Sequence, residues 1–318
     1  MLTRRHIRVK VLQSVYAFLH QLKTNENPDL QKQEKFLNYS MEQMYELYLL
    51  MLQLMVEVQT YAEEYLQKSQ KKHLATASEK KPNRKFVENR VLKQLAANLS
   101  FNEAIDKRKI QNWKEDNEYV HLLFKELRNA ELYKSYLNSQ ESSYQEDKEF
   151  IIAVFKEIIA PNEKLYDYFE DHRLTWLDDF PIVNTAIVKM LQHSSPKTAA
   201  HKMLLPLYKN EDDKDFAIQL FRKTVLHNDA LEVEVSDNSP NWDKERIAEL
   251  DFIMIKMGLV EFMHFPSIPV KVTINEYLEI AKEYSTPKSS IFINGLLDKK
   301  AKEYKTENKL NKIGRGLM

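Results

Sequence analysis

Residues 242–298 read WDKERIAELDFIMIKMGLVEFMHFPSIPVKVTINEYLEIAKEYSTPKSSIFINGLLD, and this stretch decides the fold. Ile247, Leu250, Met254 and Met257 recur at helical spacing, with Asp243 in place to cap the helix start. Pro266 and Pro269 prevent that helix from continuing. Thr273 and Glu276 have the spacing of a capping box, ahead of an apolar face of Ile274, Tyr277, Leu278, Ala281 and Tyr284. Thr286 and Pro287 open a last helix, the proline at its first position. Gly295 lies inside that helix, where glycine costs about 1 kcal/mol relative to alanine, so a close packing contact is expected there.

The rest of the chain reads as helix too. Among 318 residues there are 4 glycines and 10 prolines, too few for a turn-rich fold. Helical patterns are read at 3–23, 30–69, 84–108, 112–138, 143–159, 162–171, 179–193, 197–208, 213–228, 243–262, 273–284 and 287–304. An exposed linker is expected at 70–83. Residues 147–176 align without gaps on 213–242, with 9 of 30 positions identical, including Asp147/Asp213, Asn162/Asn228 and Trp176/Trp242. Two amphipathic helices can share such a pattern by necessity. The asparagine and tryptophan pairs fall outside the apolar stripe and favour a duplicated helix–loop–helix unit.

Composition narrows the chemistry. No cysteine is present, which excludes disulfides, thiolate nucleophiles and cysteine-ligated metals. Four scattered glycines make no phosphate-cradling loop or dinucleotide fingerprint, and nine dispersed histidines show no metal-binding spacing. Neither catalytic residues nor a cofactor are expected. No apolar leader follows the first arginines, and the run 47–56 is too short to span a bilayer, so a cytoplasmic protein without membrane contact is expected.

Formal net charge is zero but unevenly spread. Residues 1–25 carry a net +5, the tail from Lys299 another +5, and a third basic stretch covers 68–93. In the first helix Arg4, Arg8, Val11, Val15 and Leu22 lie within about 60° of one another. Arginine is seldom buried unpaired, so the first two turns are expected to overhang the core with free guanidinium groups. Forked donors suit phosphate oxygens and stack on bases, although an ordinary solvated helix start has the same pattern. In the last helix Phe292 sits near the sector of Lys288 and Lys299, at the edge of a face through Ile293, Leu296 and Leu297. It fits either a core edge or a base-stacking platform. Lys71, Lys72, Lys80, Lys81, Arg84 and Lys85 read first as a solvated linker and second as further phosphate contacts.

The words IPVKVTINEYLEIAKEY, the serine of PKSS, FINGLLD and the N-terminal RRHIRVKVLQSVYAF together resemble the NusB transcription antitermination family over roughly a third of the chain. The resemblance implies an all-α, NusB-type bundle of two subdomains, enlarged by an inserted helical region. It divides the chain into a basic first helix (1–24), an insertion (25–212), a C-terminal helical core (213–304) and a basic tail (305–318). It also implies a non-enzymatic RNA-binding factor that takes boxA-like single-stranded RNA in ribosomal RNA transcripts. That factor would act with a NusE-type small-subunit ribosomal protein in the RNA polymerase antitermination complex. RNA contacts carry over to Arg4, Arg5, Arg8 and Phe292, with Lys288 and Lys299 supplying field, and partner contacts to Tyr16, Asp251 and Tyr284. The competing expectation is a protein–protein scaffold, in which the Met- and Tyr-rich helix at 41–65 docks another helix.

Overall fold

The computed structural model describes residues 1–24, 26–72, 76–237 and 248–317. Asp243, Ile247 and Trp242, along with residues 73–75 of the expected linker, lie outside this set. The principal helices in chain order begin with α1 (Arg4–Lys23), α2 (Leu30–Gln70), α3 (Arg90–Ala96), α4 (Leu99–Arg108) and α5 (Asn117–Asn129). There follow α6 (Glu131–Asn138), α7 (Tyr144–Val154, continued by a π-helical turn Phe155–Ile159), α8 (Glu163–His172) and α9 (Phe180–His193). The last are α10 (Glu211–Leu226), α11 (Asn228–Asp237), α12 (Glu249–His264), α13 (Val270–Tyr284) and α14 (Pro287–Thr306). No strand occurs among the described residues, so the all-α expectation holds. None of these helices is long and apolar enough to cross a membrane.

The chain forms two compact units. One is Glu42–Leu207 with Met1; the other joins Leu2–Met41 to Tyr208–Met318. The first is built on α2, whose Met44, Leu47, Tyr48, Met51 and Met55 are core residues. These side chains are therefore not a docking surface for a foreign helix. The indoles of Trp113 and Trp176 donate to the α2 carbonyls of Leu50 (2.8 Å) and Gln43 (2.9 Å), which satisfies buried polar groups on both sides. The single pattern read at 84–108 breaks where two asparagines cap new helices. Asn89 accepts from the amides of Val91 and Leu92, and Asn98 from that of Phe101. The basic stretch is not wholly solvated. Lys85 is largely buried, pairs with Glu146 at 2.7 Å and donates to the carbonyls of Ser139 and Glu141.

In the second unit α12 is the central helix, packed by α1, α10, α11, α13 and α14. Ile253, Met254, Ile255, Met257, Leu259, Val260 and Phe262 are all buried, so apolar side chains leave it in every direction, with Asp251, Lys256 and Glu261 buried among them. Close approach occurs at Gly258, where a β-carbon would stand 2.9 Å from Leu297 Cδ2. Nothing lies within 4 Å of such an atom at Gly295, which faces open space, so the tight contact expected there belongs to the other glycine. Thr286 caps α14 through the Ser289 amide, with Pro287 in the first turn. The Thr273–Glu276 capping box is not formed. α13 starts three residues earlier, and both side chains are drawn to tertiary partners.

The helix pairs α7–α8 and α10–α11 fall on the two segments aligned in sequence, the second as far as Asp237. Asp147 and Asp213 are both buried in a first helical turn. Within its own unit each faces an arginine that begins another helix: Arg90 of α3 at 3.8 Å, and Arg4 of α1 at 2.8 Å.

Candidate nucleic-acid interface

The amino end of α1 is capped by Thr3, whose hydroxyl accepts from the His6 amide. The arginines that follow divide sharply. Arg8 is 2 % exposed, and its Nε and Nη2 each donate at 2.7 Å to one oxygen of Glu261, itself fully buried. The hydroxyls of Tyr277 (2.7 Å) and Thr273 (3.1 Å) complete the set, so four donors share the two Glu261 oxygens. Burial pulls the Arg8 pKa down, but the attraction and hydrogen bonds of Glu261 more than reverse this, leaving it raised. Burial and the Glu261 charge hold the Tyr277 hydroxyl well above its ordinary range, so it remains a donor. The expected free guanidinium is thus corrected at Arg8, because an acid on the central helix takes it into the core.

Arg4 and Arg5 stay at the rim, each side chain 36 % exposed. Arg4 Nε donates to Asp213 at 2.8 Å, with its guanidinium over the Phe216 ring. Arg5 donates through Nε (3.1 Å) and Nη2 (3.0 Å) to the two oxygens of Glu276, while its Nη1 stands 3.7 Å from Glu279. His6 adds no charge at neutral pH. Burial and the neighbouring Arg5 lower its pKa to about 4.

Two grooves meet at this rim. One, of about 970 Å³, runs past Thr3, Arg4, Arg5, Arg8, Lys209 and Pro269. The other, of about 750 Å³, lies between α13 and α14 and is lined by Lys282, Ser290, Ile291 and Asn294. Arg5 and Glu276 border both. The Ser290 hydroxyl is buried in the second groove without a hydrogen-bond partner. Ile291 is 74 % exposed on the wall of this groove. Phe292, one residue on, turns inward to the Ile293–Leu296 face and is 7 % exposed, so it does not present its ring between Lys288 and Lys299. Both lysines are exposed, Lys299 with Glu303 at 3.9 Å.

The three expected partner residues also separate. Tyr16 is 37 % exposed and lies against His20; Tyr284 is half-buried. Asp251 is 2 % exposed because it points inward from the central helix, and its Oδ1 has no hydrogen-bond partner. It is not a surface contact. The C-terminal tail folds back on the end of α12, where Lys312 donates to the carbonyls of Glu261 and Phe265. Burial lowers its pKa to about 8.

Sequence reasoning missed Glu261, Glu276 and Ser290. Glu261 had a visible signal, being the one acid in the apolar run GLVEFMHF. Ser290 had none, since an unpartnered hydroxyl exists only in three dimensions.

Comparison with known proteins agrees with this architecture. Residues 181–302 match the model of the NusB family. Relatives named transcription antitermination protein NusB include that of Salinibacter ruber, 36 % identical over 121 residues, which are 38 % of this chain and 76 % of the relative. That of Chloroherpeton thalassium is 36 % identical over 105 residues (33 % of this chain, 50 % of the relative). That of Thermodesulfovibrio yellowstonii is 41 % identical over 100 residues (31 % and 66 %). No solved structure matches. With an all-α bundle, the arginine-led first helix and these matches together, the chain belongs to the NusB family.

Proposed function

We propose that this protein is a transcription antitermination factor that binds single-stranded, boxA-like RNA in ribosomal RNA transcripts. It does so with a NusE-type small-subunit ribosomal protein, in the antitermination complex on RNA polymerase. In this reading no bond is made or broken. The observation that carries it is the pair of grooves meeting at Arg5, which joins the first helix to the exposed face of α14. Arg4 and Arg5 contact phosphates and base edges, while Lys209, Lys282, Lys288 and Lys299 add a positive field along the path. Arg8 acts from below as a structural member. Phe292 would stack on a base only after leaving the core, so the groove-facing Ser290, Ile291 and Asn294 take the closer role. Tyr16, with Tyr284, is the candidate contact for the ribosomal protein.

The test is a titration of fluorescently labelled boxA-like RNA, with and without the NusE-type protein, across a range of salt. Affinity should fall with salt at a log–log slope of about −0.7 per phosphate neutralised. Replacing Arg4 and Arg5 together with alanine should flatten that slope; an unaltered slope removes the arm from the interface. Partner binding without any RNA enhancement would instead support a scaffold. That reading has lost its main surface, since the methionines of α2 are core.

A further inference from the structure

Arginine has two edges that can make paired hydrogen bonds, one through Nε and Nη2 and one through its two terminal nitrogens. In Arg5 the first edge is taken by both oxygens of Glu276, at 3.1 and 3.0 Å. The terminal edge is left at the boundary of the two grooves, on a side chain 36 % exposed. Two carboxylates attend this one guanidinium, since Glu279 stands 3.7 Å from Nη1. With Glu276 on Arg5 and Lys282 on Glu279, the charges here nearly cancel, so a phosphate gains little over a neutral ligand. A neutral group offering two acceptors side by side suits the donor edge that remains. The Hoogsteen edge of guanine, with O6 and N7, is such a group, and a fork of arginine donors matches it. Alongside, the second groove supplies an unpartnered Ser290 hydroxyl and the amide of Asn294, groups suited to an unstacked base.

We infer that Glu276 is a positioning residue that fixes Arg5 as a reader of guanine, so that this pair selects the base while neighbouring cations hold the backbone. The inference rests on the RNA-binding reading above. Toward the base Glu276 acts through Arg5, although it also stands 3.6 Å from Arg8 Nη1: it removes the freedom of a long side chain before the base arrives.

The experiment uses the full-length protein and two labelled single-stranded boxA-like RNAs, identical except that one carries 7-deazaguanine in place of guanine. This change deletes the N7 acceptor and leaves the Watson–Crick edge intact. The wild-type protein should bind the guanine RNA about five- to tenfold more tightly than its 7-deaza counterpart. Arg5→Lys and Glu276→Gln should each bring that ratio close to one. Glu279→Gln, which frees Lys282 and removes a charge 3.7 Å from Nη1 but leaves the clasp of Glu276 on Nε and Nη2, should keep the ratio above one and tighten binding to both RNAs. A purely structural role for Glu276 would lower both affinities together and leave the ratio intact, which overturns the inference. So does equal binding of the two RNAs by the wild type. If the wild type binds neither RNA, the RNA reading itself fails and takes this one with it.

Discussion

Arg8 and Arg5 lie one turn apart on the same helix and differ in almost everything else. The inner arginine is locked against a fully buried acid; the outer one clasps a partly exposed carboxylate at the mouth of two grooves. The glycines repeat the contrast. Gly258 lets α12 approach Leu297 and Tyr277, whereas Gly295 opens onto solvent. The lesson is that residue type and helical spacing alone do not separate scaffold from surface. Acids supplied by helices more than two hundred residues away make the division.

The largest test strikes the inner pair. Arg8→Ala or Glu261→Ala should cost about 3–5 kcal/mol in urea unfolding, because each leaves a buried charge uncompensated. The double change Arg8→Met with Glu261→Leu should recover much of that loss. A single substitution costing under about 1 kcal/mol would place Arg8 with the rim.

The glycines give the next effect. Gly258→Ala should destabilise by about 1–3 kcal/mol, since its new methyl meets a packed leucine. Gly295→Ala should stabilise by about 0.5–1 kcal/mol, having open space around it and a better helix former in place. If Gly295→Ala also weakens RNA binding, that position is kept bare for the ligand.

Arg5→Ala should change stability by no more than about 1 kcal/mol while weakening RNA binding in a titration with the labelled RNA. A large stability loss would merge the two classes of arginine.

The smallest test concerns His6, between them. Its folded pKa, about 4, lies below the ordinary 6.5, so the unfolded chain takes up its proton first. Its contribution to stability is complete above about pH 6.5 and is lost as pH falls towards about 4. Urea midpoints over that range should therefore fall less steeply in His6→Gln than in the wild type.

What was legible in the sequence were the features set by near neighbours. The Thr286–Pro287 start of α14 and the extent of α1 follow from local caps and periodicity. Thr273 and Glu276 have the same kind of local pattern, yet one bonds Glu261 and the other Arg5, and the helix starts elsewhere. Tertiary partners outcompeted the cap. α11 escaped notice because EVEVSD alternates like a strand rather than a helix. Of the candidate site, the arginine-led helix and the basic flanks of α14 were visible. The division of labour among the arginines was not, nor was the inward turn of Phe292, because both depend on which acid or apolar wall stands opposite.

The bond between Arg8 and Glu261 spans 253 residues, and this has a consequence for synthesis. At about 5–20 residues per second, the first helix leaves the ribosome roughly ten to fifty seconds before its partner acid exists. Meanwhile all of Glu42–Leu207, a nearly continuous unit, is made and free to fold. The arginine-bearing segment must therefore wait, cationic and apolar at once, until the helices that receive it have been made.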